Sequence, residues 1–515
     1  MARPLRYIRA SALLLLVAIP GTVAAQGPAA QGGGAAQPTP LPLSGRTQPG
    51  GVTVTQTAAP GPTTGINTLN AAVGVQGLFT GSVPSQARQP FGGTLSLREA
   101  VQRGLSFNLS SVNMSSVLAQ AQGQQTVARA ALLPNINGDL TATRQQVNLG
   151  SFGIRFESPL PGFNFPTVVG PFNNVDLRAR LSQTVMDLTA LNNYRAAGAT
   201  LRADKLMTED TQDLIVLAVG GAYLQTVTAE ARVASARAQL ETANALFRQN
   251  SERRAVGLVA QVDVARSQVQ ALTQQQRLIS LQNDFAKQKI NLARMIGLPP
   301  TDQYTLGDHI PFVAAPAISI EDALGQARDR RGDLKAAAAH VDAAERALAA
   351  AHAQRLPVAQ VTADVGAIGP SPADARRTFS VVGTVRMPLW AGGRAAGQIQ
   401  QAEAVLAERR AEMDDMTTQL EADVRKAYLD LGALTAQVEV ADQSRQVAQQ
   451  ALDLTRQRFA AGVSDSVEVI QSQEALANAE LDYINSVYAH NVAKLNLARN
   501  IGQASERLAD FLRLP

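Results

Sequence analysis

NLARMIG at residues 291–297 returns as NLARNIG at residues 496–502, 205 positions further along the chain. In the same register, the tripeptide AYL at 222–224 matches AYL at 427–429, and Gly257 falls on Gly462. Upstream, LSLREAV (95–101) matches ISIEDAL (318–324) at an offset of 223. The offset changes once, around residues 144–174. A repeat with a single length change predicts a duplicated fold whose variable part is a loop.

Within each copy, one long segment has an apolar residue at alternating steps of four and three. In the first copy these are Ile215, Val219, Ala222, Thr226, Ala229, Val233, Ala236, Leu240, Ala243 and Phe247; in the second they are Leu420, Val424, Ala427, Leu431, Leu434, Val438, Ala441, Ala448, Leu452, Thr455 and Phe459. This spacing is the seam of a coiled coil. A continuous helix from Leu188 to Val256 would be about 100 Å long. Such rods must pack against similar rods, so we expect the chain to oligomerise.

Before each rod the period changes from helical to two, which predicts strands. Apolar residues alternate with polar ones in four runs, at 136–142, 175–181, 361–367 and 379–385. Each run is close to the length of a transmembrane strand and has one apolar and one polar face, although a soluble half-buried hairpin fits each run equally well. Four strands are too few to close a barrel, whereas three chains would supply twelve. Residues 144–174 and 368–378 are predicted to be exposed loops.

The first 25 residues have the three parts of a secretory signal: Arg3, Arg6 and Arg9, the apolar run 12–19, and small residues ending at Ala25. Residues 26–90 are rich in Gly, Pro, Ala, Gln and Thr, which predicts a disordered leader. The two repeats are then assigned to 91–310 and 311–515.

Composition and charge exclude several classes of function. Lys and Arg number 46 against 42 Asp and Glu, and three of the arginines lie in the signal, so the mature chain lacks the basic excess of a nucleic-acid-binding protein. The chain has no cysteine, which excludes disulfides and thiolate metal sites. His309, His340, His352 and His490 form no ligand pattern, and no nucleophile motif is present. We therefore predict no enzyme, no metal and no cofactor.

The duplicated unit resembles the TolC-like outer-membrane efflux and secretion channels. The resemblance rests on the helix break AVGLVAQVDVARSQ (255–268) with its partner AAGVSDSVEVIQSQ (460–473), on MPLWAGG (387–393) and on the repeat ends quoted above. It implies a fold that is mainly α with membrane β: a trimer with a twelve-stranded barrel in the outer membrane of a Gram-negative bacterium and a twelve-helix α-barrel in the periplasm. It also implies a passive exit duct that works with a periplasmic adaptor and an inner-membrane transporter.

The resemblance also implies roles for residues at the helix breaks. Gly257-Leu258 and Gly462-Val463 match the positions on which adaptors dock. Glu468 matches an acid of the pore constriction, and Gln471 stands where the family has a second acid. The resemblance also assigns the closed-state contacts to Asp263, Phe459 and Ser464, with Ser464 in place of the family arginine.

Simpler interpretations of these residues remain open. The glycines would suit any helix end that needs left-handed backbone, and Asp263 and Glu468 would suit the first turn of any helix. Two other functions also remain: a periplasmic coiled-coil scaffold with a soluble sheet, and a secreted enzyme, which would need a catalytic site that the sequence does not show.

Overall fold

The computed structural model describes residues 51–60, 67–83, 91–153, 167–308, 312–315 and 318–512. The predicted signal at 1–25, the leader up to residue 50 and His309 lie outside the described residues. The strands are β1 (Val52–Pro60), β2 (Asn67–Val75), β3 (Thr94–Leu95), β4 (Asn135–Asn148), β5 (Val168–Met186), β6 (Thr305–Leu306), β7 (Val358–Gly369) and β8 (Arg376–Arg386). The helices are α1 (Leu97–Phe107), α2 (Leu109–Ala130), α3 (Leu188–Ala255), α4 (Gln261–Met295), α5 (Ile320–Arg330), α6 (Gly332–Ala353), α7 (Arg394–Ala460), α8 (Ser466–Asn500) and α9 (Ala504–Leu512).

The element order repeats, as the sequence predicts. Each copy has a broken first helix, a β-hairpin, a rod of 67 or 68 residues and a returning helix of 35 residues. The first helix breaks at Asn108 in one copy and at Arg331 in the other, which are equivalent positions. The buried Asn108 side chain donates to the carbonyls of Phe79 (2.9 Å) and Met295 (3.3 Å), so this break is fixed to the end of the returning helix.

The predicted seams are the packed faces of the rods. All the seam residues named on α7 are buried except Ala448, which is half-buried. On α3, Ala222, Leu240 and Phe247 are half-buried and the others are buried. One 18-residue window of α3 is apolar and long enough to span a membrane, but 67% of it is buried inside the protein, as in a core helix. The central core surrounds this part of α3, where Ile215, Val219 and Tyr223 are fully buried among α1, α4, α7 and α8.

The four long strands form one antiparallel sheet in the order β4-β5-β7-β8. Its register places many apolar residues of neighbouring strands opposite each other: Leu140 faces Leu177, and Val365 faces Phe379. On the opposite face, the Arg178 guanidinium bonds Asp176 (2.7 Å) on its own strand and Asp364 (3.2 Å) on β7. No described residue covers the apolar face, since Ile136, Leu140, Phe379 and Val381 are each more than two-thirds exposed.

Both connecting loops are shorter than predicted. β4 continues to Asn148 and β5 begins at Val168, so the ends of the predicted loop 144–174 are strand, and only residues 370–375 separate β7 from β8. The prediction relied on side-chain alternation. However, a ladder needs only backbone hydrogen bonds, and these continue past polar residues such as Arg144 and Gln145. Residues 154–166 lie outside the described residues.

The prediction of a disordered leader is wrong over residues 52–60 and 67–83. β1 and β2 form an antiparallel hairpin, and a short 3₁₀ turn follows at Gly77–Thr80. The segment has few large apolar residues, but those it has alternate. Val52, Val54, Leu69, Ala71, Val73 and Val75 therefore share one face, which packs on the central core.

Two contacts of β2 seat the hairpin on the rods. A Cβ atom on Gly221 of α3 would come within 2.8 Å of the Val73 side chain, so only glycine allows this close approach. On α7, the Gln437 side chain accepts a hydrogen bond from the Leu69 N–H (2.9 Å) and donates one to the Leu69 carbonyl (3.2 Å). One side chain thus satisfies both backbone groups at the outer edge of β2.

We predict that Gln437→Leu loosens this hairpin. Losing two hydrogen bonds to backbone groups should speed amide exchange in residues 67–75 by about thirtyfold, since each bond contributes about 1 kcal/mol. Hydrogen–deuterium exchange mass spectrometry measures this. Gln446→Leu is the matched control, because Gln446 lies on the same helix and bonds only Asp442 (2.7 Å) on that helix. Equal exchange in the two variants would show that Gln437 does not hold the hairpin.

Candidate functional site: the tips of the rods

The rods end in two turns of the same geometry, which we call tip 1 (residues 255–261) and tip 2 (residues 460–466). Gly257 has φ +78° and Gly462 has φ +74°. After each glycine, an N–H closes the helix end by a bond across the turn, from Leu258 to the Arg253 carbonyl and from Val463 to the Arg458 carbonyl, both 2.9 Å. This is the helix ending in which left-handed backbone favours glycine. The helix ending alone therefore explains why both tips have glycine at this position.

Each tip exposes an apolar residue directly after its glycine. Leu258 is 76% exposed and Val463 is 70% exposed. Val256 at tip 1 is also 70% exposed, and a Cβ on either tip glycine would meet no atom within 4 Å. The ends of the two rods thus present open turns with exposed apolar side chains.

Phe459 lies inside the rod pair. Its ring is 6% exposed and packs with Leu246, Leu452 and Val469. The guanidinium of Arg253, at the end of α3, lies 4.5 Å from the ring centroid and donates to the Phe459 carbonyl at 3.1 Å. Arg253 therefore ties the last turn of one rod to the last turn of the other, combining a hydrogen bond with a cation–π contact.

Asp263 and Ser464, also predicted for closure, have different partners. Ser466 at the start of α8 donates to the Asp263 carboxylate (3.1 Å), so a hydrogen bond joins the two returning helices near the tips. Ser464 bonds the Glu468 carboxylate within its own tip. Asp263 therefore links the tips within the chain through a serine, and Ser464 helps to hold the acid of the predicted constriction.

Glu468 has three restraints. Its backbone N–H bonds the Asp465 side chain (3.0 Å), and its carboxylate bonds both Ser464 and Arg458 (3.0 Å). Glu468 is half-buried, whereas Gln471 is exposed. Glu468 is therefore an acid in the first turn of a capped helix, as the simpler interpretation predicts. Its carboxylate is also held in one orientation, with the Arg458 guanidinium beside it.

Sequence reasoning missed Arg253, Arg458 and Ser466. Arg253 and Arg458 lie outside the motifs that carry the resemblance, and Ser466 lies inside one of them but was given no role; their contacts join residues up to 206 positions apart. One signal was available: basic residues near a helix C-terminus interact favourably with its carbonyls, and Arg253 and Arg458 occupy that position.

The described part of the chain contains no group of three or more His, Asp or Glu side chains placed to hold a metal ion. His490 is fully buried against the Phe312 ring, at a centroid distance of 4.9 Å. Burial and, to a smaller extent, the nearby Lys494 together lower the pKa of His490 to about 4, so this histidine is neutral at pH 7. His490 is a core residue.

A family model described as "Outer membrane efflux protein" matches residues 113–298 and 323–503, one segment in each repeat. The chain belongs to this family. The pyoverdine export outer membrane protein OpmQ of Pseudomonas aeruginosa is 24% identical to this chain over 425 residues, which cover 80% of this chain and 85% of the relative. The outer membrane protein TolC of Vibrio cholerae is 25% identical over 392 residues, 74% and 85% of the two chains.

Among solved structures, the outer membrane protein VceC of Vibrio cholerae superposes with a TM-score of 0.67 at 22% identity, over 79% of this chain and 96% of VceC. This likeness confirms the predicted fold class. The family match, the named relatives and this likeness in fold together identify the chain as an outer-membrane channel, as the resemblance implied. Its family consists of channels, and the prediction of no catalytic activity agrees with that.

We predict that Arg253→Met opens the tip region locally. Without the guanidinium, the last turn of α7 loses its bond to α3, so chymotrypsin should cleave after Phe459 about tenfold faster than in the wild type. Arg254→Met is the matched control, because Arg254 is adjacent and contacts only Gln261 of its own tip (3.4 Å). Limited proteolysis with mass spectrometry of the fragments measures the rates. Similar cleavage rates for both variants would show that Arg253 does not hold the last turn of α7 against α3.

Proposed function

We propose that three copies of the chain close into one passive duct, which carries cargo out through the outer membrane for an energised inner-membrane transporter. The observation that carries the proposal is the four-stranded sheet, whose edge strands β4 and β8 have no partner among the described residues and whose faces are sorted into apolar and polar. A bilayer tolerates no unpaired strand edge, so such a sheet must be closed by other copies.

The sorting of the sheet faces supports the orientation. The face with Leu140, Leu177 and Phe379 suits lipid, and the face with the Asp176–Arg178–Asp364 ion pairs suits a water-filled lumen. Two chains would give eight strands and three would give twelve. We choose three because the family resemblance implies a twelve-helix α-barrel, and three copies supply twelve helices from the two rods and two returning helices of each protomer.

We further propose that the tips are the docking surface for a periplasmic adaptor. The support is geometric: the same turn occurs twice, and each turn presents a large apolar side chain to solvent directly after its glycine, Leu258 or Val463. An adaptor with apolar residues at its own end would bury both. The relatives include export proteins for pyoverdine and proteases by name. For this chain we propose that the cargo is set by the transporter.

The constriction of the closed duct is proposed to lie at Glu468. Three Glu468 carboxylates around the axis would attract cations, and Arg458, 3.0 Å from each carboxylate, would offset part of that charge. In each protomer the proposed constriction therefore consists of the ion pair between Glu468 and Arg458, and the uncharged Gln471 lies three residues further along the chain.

We predict opposite effects from the two members of this pair. Glu468→Gln should lower the K⁺ over Cl⁻ permeability ratio about twofold, and Arg458→Gln should raise it by a similar factor, because each removes one sign of charge per protomer. Single-channel recording in planar bilayers measures the ratio. Glu412→Gln is the control, since Glu412 forms a comparable surface pair with Arg409 (2.6 Å) far from the tips. Unchanged selectivity in both test variants would contradict the assignment of the carboxylate ring to Glu468.

We predict that the adaptor is captured from either tip. A photo-crosslinking amino acid at Leu258 or at Val463 should join the channel to a periplasmic adaptor in living cells. With the probe at Val463, Leu258→Asp should abolish that product while the single-channel conductance remains unchanged. The same probe at Val269, also on α4 but two turns from tip 1 and 63% exposed, is the control. Adaptor capture from Val269 but from neither tip would place docking elsewhere.

A further inference from the structure

A groove of about 520 Å³ lies over Gly198 of α3, between α2 and α6. Gly198 is ten residues into α3, so the groove is about 15 Å from the start of that helix, where the sheet ends. In this region α3 packs against both α2 and α6, and α6 packs against α7, so the groove is built from contacts within one chain. It belongs to no site described above.

Three arginines of this groove share one carboxylate. Arg202 of α3 and Arg346 of α6 both pair with Asp342 of α6, at 2.5 Å and 3.2 Å. Arg195 lies two turns before Arg202 on the same face of α3 and makes no ion pair with a described residue. The lining therefore carries two positive charges in excess. Like charges along one groove repel each other, and a bound anion would offset that repulsion.

Two uncharged donors line the same groove. The Gln125 side chain of α2 lies over Gly198, with its Nε2 atom 3.1 Å from the position that a Cβ atom on Gly198 would take. Neither this amide nor the Tyr194 hydroxyl forms a hydrogen bond with a described residue. All these groups are accessible to a ligand, since the three arginines are exposed and Gln125 and Tyr194 are half-buried. Asp342 is the one carboxylate that lines the groove.

The excess charge and the type of donor indicate the class of ligand. Guanidinium groups bind phosphate oxygens through paired N–H groups, and a phosphate monoester carries close to two negative charges at neutral pH. A monoester would therefore neutralise the two excess charges and supply several acceptor oxygens. A carboxylate or a phosphate diester carries one charge and would leave the groove positive.

We propose that this groove binds a phosphate monoester. Its oxygens accept hydrogen bonds from Arg195, from the remaining N–H groups of Arg202 and Arg346, and from the Gln125 amide. The absence of a side chain at Gly198 leaves the space that the phosphate group occupies. The site does not depend on the channel function proposed above, and its failure would leave that function intact.

Isothermal titration calorimetry on the purified full-length channel in detergent, at about pH 8 and constant ionic strength, tests the proposal. Methyl phosphate is a monoester with two charges, and dimethyl phosphate is a diester with one. We expect methyl phosphate to bind about tenfold more tightly than dimethyl phosphate, because only the monoester neutralises the groove. No saturable heat from methyl phosphate up to about 20 mM, or equal binding of dimethyl phosphate, would overturn the proposal.

The same experiment distinguishes two sources of a phosphate monoester. One is a soluble molecule, and the other is a lipid headgroup, which would reach the groove from the bilayer that the proposed function places around the sheet. Dihexanoyl phosphatidic acid is the probe for the lipid. Binding about tenfold tighter than that of methyl phosphate supports the site with a lipid headgroup in it, and equal or weaker binding supports the site with a soluble ester.

Variants separate binding from folding. Arg195→Gln removes the unpaired cation and should weaken methyl phosphate binding by about three- to tenfold. Gly198→Leu keeps every charge but fills the groove, so it should abolish binding, with its circular dichroism spectrum confirming that the rods remain folded.

The matched control is Arg237→Gln. Arg237 is also an exposed arginine of α3 without an ion pair to a described residue, and it lies about 60 Å further along the rod. Methyl phosphate affinity that is unchanged by Arg195→Gln and Gly198→Leu, or that is reduced equally by Arg237→Gln, would contradict the assignment.

Discussion

Backbone hydrogen bonding in a bilayer is the constraint on which this architecture depends. Each chain offers a four-stranded sheet in which β5 and β7 are paired on both sides, whereas β4 and β8 are each paired on one side. In water these edges would be satisfied by solvent, but in lipid they have to be closed by another strand. The membrane thus makes a single chain incomplete, and the same incompleteness accounts for rods that each expose part of their surface.

The rods run from the sheet to the tips. Their seams are rich in small residues such as Ala427, Ala441 and Ala243, so the helices approach closely but bury little area per residue. Specificity at the far end therefore depends on a few polar contacts. Arg253 holds the two rods together, Ser466 and Asp263 join the two returning helices, and Arg458 restrains Glu468. Such contacts can be exchanged at modest cost, which agrees with the proposal that the duct is closed at this end.

Most of the fold follows from patterns that the sequence displays directly. The repeat register, the seams and the four alternating runs predicted the rods, the returning helices and the strand faces, because each depends on local periodicity. The hairpin at Val52–Val75 did not follow, since its few apolar side chains are stabilised by Gly221 and Gln437, which are distant in sequence. The same holds for the tips: Gly257 and Gly462 were predictable from helix endings, whereas the partners of Phe459 and Asp263 depend on how the two repeats meet.

Covalent closure of the sheet tests the central claim most directly, and the absence of native cysteine makes the measurement clean. One cysteine replaces Thr141 on β4, and a second is placed in turn at Thr378, Ser380 and Val382, which share its polar face on β8. After oxidation of intact outer membranes, a non-reducing gel should show, for one register, a largest species of three chains. A largest species of two chains, an open ladder beyond three, or no crosslink at any register would contradict the trimeric duct.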